Sequence, residues 1–106
     1  MKKIIDSDVS LRDLYLTELL DLSDVLIHGH YDCSKNSLTN LVGSPHTIYG
    51  RYECSENPKL NSLKGIPKTV KGDFWIDLLF EDLFPEEYIR SVCNIGGKII
   101  YAKYEE

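Results

Sequence analysis

No stretch of this chain approaches the roughly 20 consecutive apolar residues of a membrane-spanning helix. The opening "MKKIIDSDV" has lysines but no apolar segment or small-residue cleavage site behind them. These absences predict a soluble protein of the cytoplasm with no membrane partner. Cysteine is scarce: Cys33, Cys54 and Cys93 form an odd set without a CxxC pair. Such a set indicates neither a closed disulfide framework nor a ribbon-type zinc site, and reduced thiols are expected. Basic residues are outnumbered, 12 against 17 acidic ones, for a formal net charge of −5. Wrapping a phosphate backbone requires clustered lysine and arginine, so nucleic acid is not expected as a ligand. The four prolines and seven glycines are dispersed, leaving no linker or low-complexity run. What remains is ordinary globular composition, 42% hydrophobic and 27% charged over 106 residues. That length suits a single domain, residues 1–106, with a continuous but thin core.

The informative feature is a phrase written twice. "GHYDCSKNSLTNLVGSP" at residues 29–45 is followed by "GRYECSENPKLNSLKGIP" at residues 50–67. The pairs are Ile27/Ile48, Gly29/Gly50, Tyr31/Tyr52, Cys33/Cys54, Asn36/Asn57, Leu38/Leu60, Leu41/Leu63, Gly43/Gly65 and Pro45/Pro67. The step lengthens from 21 to 22 residues where one extra residue, from Pro58 and Lys59, enters the second copy. Carried forward, the template meets Val70, Gly72, Phe74 and Ile76, with Leu79 in the asparagine place. Carried back by 22 it meets Ile5, Ser7, Val9, Leu11, Leu14, Leu16 and Leu19. The leucines of "LRDLYLTELL" also suit an amphipathic helix, but the offset holds at seven positions and favours a degenerate repeat.

Within each unit, apolar residues alternate over "IxGxYxC", the period of a strand with one buried face. Units of 20 to 29 residues with a strand, an asparagine and spaced leucines build solenoids in which each coil buries its apolar edge against its neighbours. The expected fold is an α/β solenoid: a short leucine-rich-repeat-like stack of about four parallel strands with irregular turns over residues 5–79. Its ladders would be Ile5, Ile27, Ile48, Val70; Val9, Tyr31, Tyr52, Phe74; and Leu11, Cys33, Cys54, Ile76. Asn36 and Asn57 belong at the bend, where an amide can satisfy backbone groups that have left the ladder. The corner glycines suggest a kink or close backbone approach. The period stops after residue 78. Pro85, two acids and a later glycine pair then mark a helix from about Pro85 to Asn94, and a strand follows from about Lys98 to Lys103. Residues 80–106 thus form a helix-strand cap.

The phrases "CSKNSLTNLVGSP" and "CSENPKLNSLKGIPKTVKGDF" resemble the leucine-rich-repeat-like proteins encoded by tailed bacteriophages, built on "CxxNxLxSLxGxPxxVxGxF". The resemblance covers residues 5–77 and implies a structural role for Asn36, Asn57 and the leucines 38, 41, 60 and 63. It implies a phage-made interaction module in a host bacterial cytoplasm and carries no catalytic residue.

"HGHYDC" places His28, His30 and Cys33 close together, and tetrahedral zinc accepts both nitrogen and sulfur. Strand parity opposes a site, because the histidines and Cys33 point to opposite faces. A Cys–His nucleophile fails for the same reason. No catalytic residue, metal or cofactor is therefore expected. The outward residues make one continuous face: Asp6, His28, Tyr49, Lys71; Asp8, His30, Arg51, Asp73; Ser10, Asp32, Glu53, Trp75. Tyrosine, tryptophan and arginine are enriched at binding hot spots, which selects His28, His30, Tyr49, Arg51, Glu53, Lys71, Asp73 and Trp75 as a protein-binding face. The expected function is binding of a host protein, with inhibition of a host defence or regulatory enzyme as one form. The alternative is an acidic decoy that occupies a nucleic-acid-binding groove, motivated by the acid excess; mixed signs on the strand face place it second.

Overall fold

In a computed structural model, which describes residues 2–103, the chain is a small β-solenoid of five coils with one short α-helix. Each coil contributes two short strands. They are β1 (Lys3–Ile5) and β2 (Val9–Ser10), β3 (Val25–Ile27) and β4 (Tyr31–Asp32), β5 (Thr47–Ile48) and β6 (Tyr52–Glu53), β7 (Thr69–Val70) and β8 (Phe74–Asp77), then β9 (Asn94–Ile95) and β10 (Ile99–Ala102). All pairings are parallel and form two five-stranded sheets, β1-β3-β5-β7-β9 and β10-β8-β6-β4-β2.

The single alternating strand expected from "IxGxYxC" is thus bent into two, one in each sheet. The bend falls at the glycine. There successive coils approach so closely that a Cβ on Gly72 would lie 2.6 Å from the carbonyl oxygen of Gly50, so only glycine fits. The period-2 pattern survives the bend because inward residues stay inward on both sides of it.

The ladders stand as the repeat predicts. Ile5, Ile27, Ile48 and Val70 are in register, and Val9, Tyr31, Tyr52 and Phe74 form the next row. The rings of Tyr31 and Tyr52 meet edge to face at 5.4 Å, and those of Tyr52 and Phe74 do so at the same distance. This is the favoured aromatic geometry. With Leu38, Leu41, Leu60 and Leu63 they make one continuous buried cluster.

Asn36 binds adjacent coils together. Its amide nitrogen donates to the carbonyls of Leu11 and Cys33, and its Oδ1 accepts from the amides of Leu14 and Leu16. Asn57 repeats this one coil on, donating to Cys33 and Cys54 and accepting from Leu38. At the third bend the buried carboxylate of Asp77 takes over, accepting from the amides of Glu56 and Asn57. The bends recur to the residue: Asp13, Lys35 and Glu56 all take left-handed backbone angles, with φ of 58°, 57° and 56°. No helix forms over 11–20, and the degenerate repeat is the arrangement found.

The stack differs from expectation at its end. A 3₁₀ turn (Leu78–Phe80) leads to α1 (Glu86–Val92), which begins after Pro85 with two acids in its first turn. The helix occupies the return arc of a coil. β9 and β10 then supply one strand to each sheet, so Ile95, Ile99 and Tyr101 extend the ladders of Val70, Phe74 and Ile76. The expected cap is a fifth coil with a helical arc, and the count of about four strands becomes five coils of two. Arg90 fastens the helix, donating to Glu86 and to the carbonyls of Ile95 and Gly97. The last three residues of the segment 80–106 lie outside the described residues.

Candidate protein-binding face at the glycine corner

The eight residues predicted as one continuous face wrap around the glycine corner in three columns. The first follows the strands of one sheet: His28 after β3, Tyr49 after β5 and Lys71 after β7. All three are exposed. The rings of His28 and Tyr49 lie 4.4 Å apart, tilted by 56°. The Lys71 ammonium sits 4.2 Å from the centre of the Tyr49 ring, within cation–π range. Three successive coils bring an imidazole, a phenol and an ammonium into a single stack.

The second column, His30, Arg51 and Asp73, does structural work that parity could not reveal. His30 Nδ1 accepts a hydrogen bond from the Arg51 amide at 2.9 Å, which requires that nitrogen to be unprotonated. Asp73 Oδ1 accepts from the Lys98 amide at 2.8 Å, and Asp8 Oδ1 from the His30 amide at 2.8 Å. These side chains leave the sheet outward and fold back to satisfy an amide of the next coil. Arg51 turns to Glu53, with Nε 2.9 Å from its carboxylate.

The third column runs Asp32, Glu53, Trp75 and Ile100 across the other sheet. Its acids are paired: Arg12 lies 3.6 Å from both Asp32 and Glu56, and Arg51 holds Glu53. Trp75 is half-buried between Glu53 and Ile100, and its indole Nε1 is buried without a partner among the described residues. Lys98 and Ile100 therefore border the face. They were missed because α1 stretches the step from 22 to 25 residues, yet Ile95, Gly97, Ile99 and Tyr101 do match Val70, Gly72, Phe74 and Ile76 at that longer offset.

The residues weighed for metal and nucleophilic chemistry are kept apart. Cys33 is fully buried, and burial pushes its thiol up to about 12; Cys54 is buried and raised likewise. His28 is exposed on the opposite side of the strand. Among the described residues no three His, Cys, Asp or Glu side chains gather as a metal site would require. One cleft lies on the return arcs, lined in part by Thr17, Glu18, Asp21, Thr39 and Val42, and another lies beside α1 near Lys68 and Arg90. Neither is lined by His28, His30 or His46. Among the described residues no helix is long and apolar enough to cross a membrane. No family model, curated protein or solved structure matches the chain.

Proposed function

We propose that this chain is a protein–protein interaction module that binds through the glycine-corner face, with His28, Tyr49 and Lys71 at its centre and Arg51 and Trp75 beside them. The observation that carries this reading is the exposed stack of those three side chains, which make no hydrogen bond between coils among the described residues. A solenoid presents such a surface on backbone that folding already fixes, so docking orders few additional groups.

The repeat phrases support a finer version. In it the chain is a bacteriophage leucine-rich-repeat-like protein acting on a host protein in the bacterial cytoplasm, with inhibition of a defence or regulatory enzyme as one form. It works as a binder and not as an enzyme, a reading supported by its buried thiols. The acidic decoy draws less support, because Asp32, Glu53 and Glu56 are held by Arg12 and Arg51 and do not form an array of free negative charge.

Affinity capture from bacterial lysate tests the proposal. A specific protein should be enriched by the wild-type chain and lost when Tyr49, Arg51 and Trp75 are changed together to alanine in a variant with unaltered circular dichroism. An enriched protein retained by that variant would remove the face from the account.

A further inference from the structure

The glycine corner has one exception, and it lies at the first coil. Gly29, Gly50, Gly72 and Gly97 stack up the solenoid, while the registers of Ile5 with Ile27 and Val9 with Tyr31 put Ser7 in the equivalent place. A Cβ on Gly50 would lie 2.8 Å from the carbonyl oxygen of Gly29. On Gly72 it would lie 2.6 Å from that of Gly50, and on Gly97 2.7 Å from that of Gly72. On Gly29 it would lie 2.7 Å from the carbonyl carbon of Ser7. These distances are well inside van der Waals contact, which for carbon begins at about 3.5 Å. The direction is constant: at this corner Cβ points toward the preceding coil.

We infer that Ser7 closes the amino-terminal end of the stack, because its Cβ fills the space that the corner carbonyl of another coil would occupy. The coil thereby excluded is the last coil of a second copy. Among the described residues β1 and β2 are the unpaired edges at one end of the two sheets, and β9 and β10 are those at the other. Because every coil pairs with the next in the same parallel way, the two ends of different molecules are complementary by construction. Head-to-tail contacts whose rotation does not close a ring propagate into fibres, and free strand edges are a ready template for such pairing. Gly96 and Gly97 leave the last corner without side chains, so Ser7 is where the two ends would collide. Lys2 and Lys3 place charge along the same edge.

Sedimentation of the full chain over a wide concentration range tests it. Wild type and Ser7→Ala, which retains Cβ, should sediment at the monomer mass of 12.2 kDa. Ser7→Gly should show a weight-average mass that rises with concentration to at least twice that value. A Ser7→Gly protein that stays monomeric, or a Ser7→Ala protein that associates, overturns the inference. A second arm holds even if Ser7→Gly does not fold. Ser7→Val should melt with the wild type, since its side chain points away from the stack, whereas Gly72→Ala should melt several degrees lower. Equal losses for the two would place the residue 7 side chain against protein and overturn the inference as well.

Discussion

The hydroxyls of Ser44 and Tyr52 lie 2.7 Å apart inside the core. In the repeat, Ser44 corresponds to Leu22 and Ile66, and Tyr52 to Tyr31 and Phe74. Phe74 has no hydroxyl to satisfy, but Tyr31 does, and its hydroxyl is buried without a partner among the described residues. A buried hydrogen bond contributes about 1 kcal/mol net, and a buried group left unpaired costs about 1 to 3 kcal/mol. Tyr52→Phe should therefore destabilise by about 1 to 3 kcal/mol, since it orphans Ser44, while Tyr31→Phe should be neutral or stabilising. Urea denaturation of the two variants checks this. A loss for Tyr31→Phe as large as that for Tyr52→Phe would contradict it.

Leu41 and Leu63 fill the return arcs and are buried, whereas Trp75 is only half-buried. Leu41→Ala or Leu63→Ala should cost roughly 2 to 5 kcal/mol, enough to unfold much of a domain this small. Trp75→Ala should cost clearly less, because its side chain is only half-buried. Melting temperatures measured side by side decide the matter, and equal losses would make Trp75 a core residue.

Alkaline pH should weaken the fold through its thiols. Burial raises Cys33 from the ordinary 9.0 to about 12 and Cys93 to about 11. Between the unfolded and folded values the native chain binds more protons than the unfolded one, so stability falls as pH rises. The contribution is fully present below pH 9 and is lost through pH 12; for Cys33 it is on the order of 4 kcal/mol. Denaturation midpoints should drop steeply above pH 9, and Cys33→Ala should flatten that slope even though it lowers stability at neutral pH. A slope unchanged by Cys33→Ala would contradict the buried-thiol account.

Deleting residues 84–106 removes β9 and β10, the pairing partners of β7 and β8. Val70, Phe74 and Ile76, now fully buried, would line an open end with unpaired strand edges. The truncated chain should aggregate or fail to fold. Size-exclusion chromatography and thermal melting check this, and a monodisperse species melting near the wild type would show that four coils suffice.

Most of the scaffold was legible because a solenoid repeats its physics. The same ladder, amide and leucines must recur each coil, so Ile27/Ile48, Asn36/Asn57 and Leu41/Leu63 announce themselves by spacing alone. What escaped was what the repeat does not carry. The division into two sheets is invisible to a period-2 pattern, since a corner at glycine leaves the inward and outward alternation intact. The fifth coil was hidden by α1, which lengthens the step, and by Tyr101, which stands where Ile76 and the cysteines stood before. Of the candidate face, the outward placement of its residues was legible and the contacts of their side chains were not. His30 and Asp73 point outward as parity requires, yet their side chains turn back to amides of the next coil, a choice set by rotamer and not by register.

Placement of a photo-crosslinking residue tests the proposed face most directly. It is introduced at position 49, between His28 and Lys71, and separately at Thr39 on the exposed return arc, and each protein is irradiated in bacterial lysate. The account predicts a crosslink to the captured protein from position 49 and none from position 39. Crosslinking from 39 alone would place the partner on the return arcs and contradict the glycine-corner face.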